Sequence, residues 1–271
     1  MRFHILQKLL LITLLSLSAS VFADDKINWV GFYGGVGAGF NSQKTELNSY
    51  GIDGVPYYYS LTPRNIYDLY DNKNFTSNKV IPNIHIGYNW QNNNILYGLE
   101  TEFNYLNTGN SKCHPFSAGN HIVNGATLDT CNDPWGNSFF SVSTKWLSTI
   151  NGKVGYAFNE YNLTLQGGLA FGETSSSLKT NCGSGGCGAG DSYPLDSNLN
   201  WSEIKYGWNL GGEIERKINK DWALFAKYKY VDLGSVSHSF NPNADYFPRN
   251  ENGFSSKSTF NLLTFGANYH F

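Results

Sequence analysis

The sequence predicts an all-β fold: an eight-stranded antiparallel up-and-down transmembrane β-barrel with short periplasmic turns and four long outer loops. Three observations predict it. From residue 30 onward the hydrophobic period is two, which is the period of a strand. The connections between candidate strands alternate between tight turns and long segments. Aromatic residues make up 16% of the 271 residues and charged residues only 15%, against roughly 25% charged in ordinary soluble domains.

The same composition excludes other classes. A mean hydropathy of -0.36 is too polar for a helical membrane protein. Aromatic richness is foreign to disordered chains. A formal net charge of -2 gives no Lys/Arg excess for phosphate contacts, so no nucleic-acid partner is expected.

Residues 1–23 read as a signal peptide. Arg2 and Lys8 form the positive region, Leu9 to Leu17 the short apolar core, and Val21-Phe22-Ala23 the cleavage site. The apolar stretch is shorter than the ~20 residues a spanning helix needs. Residues 24–271 are then the barrel, and loss of Arg2 and Lys8 takes the formal charge from -2 to -4.

The strands follow in order. The first is Val30–Asn41, with Val30, Phe32, Val36, Ala38 and Phe40 on its apolar face. The second is Val80–Trp90, with Val80, Ile84, Ile86, Tyr88 and Trp90 against Asn83, His85, Gly87 and Asn89. The third, Ile95–Leu106, alternates most regularly: Ile95, Tyr97, Leu99, Thr101, Phe103 and Tyr105 against Leu96, Gly98, Glu100, Glu102 and Asn104. The fourth and fifth, Lys145–Phe158 and Tyr161–Glu173, meet at Asn159-Glu160. The sixth and seventh, Glu203–Ile218 and Trp222–Leu233, meet at Asn219-Lys220-Asp221. The eighth is Thr259–Phe271. The long connections are 42–79, 107–144, 174–202 and 234–258, too long for a compact soluble domain.

Two features place lipid, rather than a second sheet of a secreted sandwich, against the apolar faces. Charges on the polar faces balance: Glu100, Glu102, Glu203, Glu213 and Glu215 meet Lys145, Lys153, Lys205, Lys227 and Lys229. A narrow lumen pairs such groups across strands, because a lone buried charge is costly. Aromatic residues on the apolar faces gather near the short turns, with Trp90, Tyr97, Tyr156, Tyr161, Trp222 and Phe271 forming a lower girdle. Inward Gly31, Gly35, Gly37 and Gly39 leave space for long Glu and Lys side chains, so no wide pore is expected.

Trp29-Val30-Gly31-Phe32-Tyr33-Gly34-Gly35 resembles the start of small proteobacterial outer-membrane barrels of the opacity and surface-antigen type. Phe225-Ala226-Lys227-Tyr228-Lys229-Tyr230-Val231-Asp232-Leu233-Gly234 resembles the penultimate strand of that family. The ending Phe265, Ala267, Tyr269, Phe271 is similar to the strand that the outer-membrane insertion machinery reads. The resemblance implies outer-membrane lipid and that machinery as partners, and Phe265, Tyr269 and Phe271 as the insertion signal. It covers the barrel and not the loops. Pro82 departs from a clean strand pattern, because proline removes a ladder donor.

Four cysteines in an exported chain point to disulfides. Cys113 and Cys131 share the second outer loop, and Cys182 and Cys187 the third. Local pairs are therefore expected, with cross-loop bridges as the alternative. Their spacing is not that of a zinc site. No metal or other cofactor is expected. Ser237-His238-Ser239 is the one catalytic candidate, but adjacent strand residues face opposite ways. The lipid A deacylase type of barrel has one residue between the pair. The first loop carries Tyr50, Tyr57, Tyr58, Tyr59, Tyr67 and Tyr70, a composition suited to adaptable recognition of a host or surface ligand. The expected role is a non-enzymatic surface protein for envelope integrity, adhesion or host contact. A narrow porin-like channel is the runner-up, and a lipid A-modifying enzyme stands third.

Overall fold

The computed structural model describes residues 28–50, 73–115, 136–182, 198–240 and 252–271. Eight antiparallel strands, each hydrogen-bonded to its sequence neighbours, close into a barrel. They are β1 Gly31–Tyr50, β2 Lys73–Asn92, β3 Ile95–Pro115, β4 Gly136–Phe158, β5 Tyr161–Cys182, β6 Asn198–Lys217, β7 Trp222–Phe240 and β8 Asn252–His270. β8 closes on β1, with Tyr33 opposite His270. The short turns are tight because Asn93 and Asn159 take positive φ of 55° and 49°, a conformation asparagine tolerates and two-residue hairpins require.

Every strand is longer than its alternation indicates. The apolar outer face of β3, Ile95 to Tyr105, has the length of a tilted membrane-crossing strand. Beyond it the faces exchange roles. On β1 the outward residues change from Phe32, Val36 and Phe40 to Ser42, Lys44 and Glu46, while inward Leu47 is fully buried. Phe75, Phe140, Val142 and Leu178 likewise turn inward and form one cluster with Leu47, against which Leu199 and Trp201 pack. An apolar inside and a polar outside is the arrangement of a protein in water, so this upper part stands outside the bilayer. Strand therefore runs into both ends of each of the four loops read as 42–79, 107–144, 174–202 and 234–258. Alternation fades there because both faces carry Ser, Thr and Asn.

The upper part also splits. β2 and β3 pair only as far up as Asn83 and Asn104, although β2 follows β1 to Lys73 and β3 follows β4 to Pro115. β6 and β7 pair only as far up as Trp208 and Asp232. Above these points the ring becomes two four-stranded sheets, β7-β8-β1-β2 and β3-β4-β5-β6, with the apolar cluster between them. A closed barrel in lipid thus continues outward as a β-sandwich.

The outer-face ion pairs belong to this part. The ammonium of Lys44 lies 2.7 Å from Glu46 and, by hydrogen bond and charge, holds that carboxyl below its ordinary value. A depressed carboxyl stabilises the fold above its unfolded value, and the effect is lost as pH falls through the folded value. Glu46→Gln should therefore lower the unfolding midpoint slightly at neutral pH. Below the folded value its titration curve should merge with that of the parent. Both side chains are about half exposed, so the effect is a fraction of a kcal/mol.

Candidate functional site

The membrane-spanning interior is stacked in layers. At the periplasmic end Trp29, Leu96, Ala157 and Ala223 form an apolar floor. Above it lies a charged layer, and above that a second apolar layer of Ile81, Leu106, Leu147, Ala170, Val231, Leu233, Phe260 and Leu262. Next come Asn41, Gln43, Thr45, Thr108, Thr144, Thr174, Ser256 and Ser258, all buried. Gln43 spans this layer, accepting from Thr108 and donating to Thr144. The sandwich cluster lies above.

The charged layer is built from residue pairs two apart on single strands, which share one face. Glu100 and Glu102 come from β3, and Lys227 and Lys229 from β7, across the barrel. Lys227 Nζ lies 2.6 Å from Glu100, 3.2 Å from Glu102 and 3.0 Å from Glu213. Lys153 Nζ lies 3.2 Å from Glu100 and 2.8 Å from Glu213. Lys229 Nζ lies 2.8 Å from Glu102 and donates to Thr149. Glu215 accepts from Asn162 and Asn268 and lies 2.8 Å from His270. The Tyr33 hydroxyl donates to Glu100 at 2.8 Å and accepts from Lys153 at 3.0 Å. The lysines and Glu100, Glu102 and Glu213 meet opposite charges, and Glu215 meets hydrogen-bond donors, which is what burial of ions demands.

Three of the expected lumen charges stand elsewhere. Lys145 is on the outer face, at a bulge between Thr144 and Trp146 that adds a residue to β4 and reverses the alternation above it. It pairs there with Glu173, which also accepts from Trp146 Nε1. Glu203 faces inward, but high in the sandwich part, 3.3 Å from His238. Lys205 is buried, yet its amine donates to Ser256 rather than to a carboxylate of the layer. The reading of balanced faces missed Tyr33 as a member of the network. A lone large residue among four inward glycines was the available signal.

Glycine makes room for the bonds that cross under β1. Gly35 is flanked by His85 on β2 and Asn268 on β8, and those two side chains meet over it at 2.7 Å. A Cβ on Gly35 would lie 2.0 Å from Asn268 Oδ1 and 2.4 Å from His85 Nε2. Gly35→Val should thus cost about 1–3 kcal/mol by overpacking, seen as a lower urea midpoint in lipid vesicles. Gly34→Val points outward, where the nearest atom to its Cβ, the His85 carbonyl oxygen, is 3.8 Å away in ordinary contact, and should cost less.

The other candidates separate. Ser237 is exposed on the outer face, while His238 lies inward, stacked on Trp201 at 4.8 Å. They form no nucleophile and base pair. His85 and His270 sit in the lumen network, as hydrogen-bonding groups. Cys113 and Cys182 lie on strand backbones opposite Phe139 and Gly136. Cys131, Cys187, the leader 1–23 and the tyrosines from 57 to 70 lie outside the described residues. Among the described residues no His, Cys, Asp and Glu group could hold a metal ion. Outside the lumen the girdles are in place: Trp90 stacks on Tyr97 at 5.7 Å below, and Phe103 on Trp146 at 6.1 Å above. Tyr269 meets Trp222 and Phe271 on the lipid face at 5.2 and 5.0 Å.

No protein-family model matches the chain. The 31 kDa outer-membrane immunogenic protein of Brucella melitensis is 27% identical over 261 residues, covering 91% of this chain and 85% of that protein. The 22 kDa outer membrane protein of Rhizobium leguminosarum is 22% identical over 152 residues, covering 56% and 52%. Among solved structures, the attachment invasion locus protein of Yersinia pestis is 13% identical with a TM-score of 0.34, covering 89% and 99%. Outer-membrane protein OprG of Pseudomonas aeruginosa is 9% identical with a TM-score of 0.45, covering 91% and 99%. With girdles, lipid-facing strands and outer-membrane relatives together, the chain is an outer-membrane β-barrel protein. Its short turns face the periplasm and its long connections the outside.

Proposed function

We propose that this protein is a non-enzymatic surface anchor whose outer part makes contacts for envelope integrity, adhesion or host recognition. One observation carries the reading: the interior is filled in layers from the Trp29 floor to the Leu47 cluster. A plugged lumen leaves the exterior as the working surface. The name of the Brucella relative, an immunogenic protein, supports an exterior that meets a host. Residues 1–23 act as the cleaved leader, and the Phe265, Tyr269, Phe271 ending is read during insertion into outer-membrane lipid. Cys113–Cys131 and Cys182–Cys187 are the proposed outer disulfides.

Deleting each outer connection in turn (51–72, 116–135, 183–197 and 241–251), followed by cell-binding and detergent-sensitivity assays, tests the anchor. At least one deletion should lose binding or envelope resistance while heat-modifiable gel mobility persists. Loss in none would end the reading. In planar bilayers the purified protein should show no steady single-channel current, because the Phe260 and Leu47 layers both exclude water. A current that survives purification would favour the narrow channel instead. An altered lipid A profile on deletion of the protein would favour the enzyme.

A further inference from the structure

The outer face of β4, β5 and β6 changes character directly above the girdle. Phe171 and Tyr206 stand opposite each other there, and Tyr206 is 73% exposed. Higher on the same face Ser143, Ser175 and Ser202 lie side by side in one row, and Ser141, Ser177 and Asn200 in the next. The rows are joined across the strands: Ser175 bonds to Ser202 at 3.1 Å and Ser141 to Ser177 at 2.7 Å. Between the aromatic residues and the first row stands Glu173. Its carboxylate accepts from Lys145 and Trp146 of β4 and from Ser202 of β6. Donors on both neighbouring strands thus fix it in place.

An ionised carboxylate has about four acceptor sites, so Glu173 keeps capacity beyond these bonds. Lys145, whose side chain is 54% exposed, keeps donors beyond its bond to Glu173, and each serine hydroxyl both donates and accepts. Lys145 and Glu173 cancel, and the two rows above them hold no charged residue. The outer face of the other sheet instead carries the pairs Lys44–Glu46 and Lys257–Asp232. Strands rise about 3.3 Å per residue and tilt by about 40°, which puts Ser175 and Ser177 about 10–15 Å above Phe171. That height lies outside the acyl chains, among the headgroups. A neutral, hydroxyl-rich surface above an exposed aromatic ring complements a sugar, whose hydroxyls donate and accept and whose ring C–H edge is apolar. A phosphate would call for an unpaired cation.

We propose that this face binds the saccharide headgroup of the outer-leaflet glycolipid, lipopolysaccharide. Sugar hydroxyls meet Glu173, Lys145 and the serine rows, and the ring edge rests on Tyr206. The proposal rests on the surface-anchor reading and gives its envelope-integrity role a physical contact. The face continues the lipid-facing surface upward: Leu169, Leu210 and Ile204 are all more than half exposed below it. A lipid whose chains lie against those residues carries its headgroup to Glu173. The chains hold the sugar at high effective concentration, so modest hydrogen bonds suffice to orient it.

The test titrates the full chain in mild detergent with lipopolysaccharide that keeps its core sugars, and native mass spectrometry counts the bound glycolipid. Binding should weaken about tenfold in Glu173→Gln and in the double variant Ser175→Ala, Ser202→Ala, the equivalent of one hydrogen bond to a charged group. It should hold in Glu46→Gln, on the other sheet. An excess of phosphatidic acid, which has the charge and the chains but no sugar, should not displace the glycolipid. The deacylated saccharide should displace it only at far higher concentration, since it lacks the chains. Heat-modifiable mobility checks the fold of each variant, and the two competitions decide on the parent protein alone if a variant does not fold. Unchanged affinity in either variant, displacement by phosphatidic acid, equally tight binding of the deacylated saccharide, or no bound glycolipid would each overturn the proposal. If glycolipid binding fails while a loop deletion still abolishes cell contact, the anchor reading stands without this site.

Discussion

Lys227→Met should lower the free energy of unfolding by about 3–5 kcal/mol, the usual cost of breaking one side of a buried ion pair. Lys227 is 1% exposed and its ammonium stands within 3.2 Å of three carboxylates, Glu100, Glu102 and Glu213. Methionine fills much of the same volume, so the loss is chiefly electrostatic. Three carboxylates would then share the cations of Lys153 and Lys229. Urea titration in lipid vesicles reads the change. Adding Glu100→Gln to Lys227→Met should recover part of it, because one uncompensated charge is removed. Lys145→Met should cost far less, since its pair with Glu173 is exposed. A Lys227→Met change as small as that of Lys145→Met would mean that the layer is hydrated and does not depend on pairing.

Phe260→Ala should cost about 3–5 kcal/mol through lost burial and the cavity left behind. Phe260 is fully buried in the apolar layer directly above the charges, with Ile81, Leu106 and Leu233 around it. The same truncation at Phe40, on the lipid face, exchanges one apolar surroundings for another and should cost less. The comparison, read in the same urea titration, separates interior packing from lipid contact. Equal losses at the two positions would contradict a packed lumen.

Both expectations depend on which way a side chain points, and alternation reveals that in the bilayer. There lipid selects apolar residues on one face, the lumen selects polar ones on the other, and the contrast marks register. Glu100 and Glu102, Lys227 and Lys229, and Glu213 and Glu215 are legible as inward pairs for that reason. Their pairing across the lumen is less so. Glu213 opposite Lys227 follows from neighbouring strands, but Glu100 with Lys227 joins β3 to β7, and only closure of the ring brings those strands face to face. Lys145 is misplaced by the alternation because one bulge shifts the parity of everything above it.

The sequence by itself determined the strand number, the closed antiparallel order, the orientation toward lipid and the charged interior. These depend on local period, turn length and the sign of charge, all carried by residues near one another in the chain. The tertiary structure alone decided the height of the strands, the partition of the outer half into two sheets and the serine rows above Glu173. In that half both faces are rich in Ser, Thr and Asn, so the period is faint. Its core assembles one or two residues from each of six strands: Leu47, Phe75, Phe140 with Val142, Leu178, Leu199 with Trp201, and His238 against Trp201. No local window contains more than a fragment of that cluster, and only packing shows that its members meet.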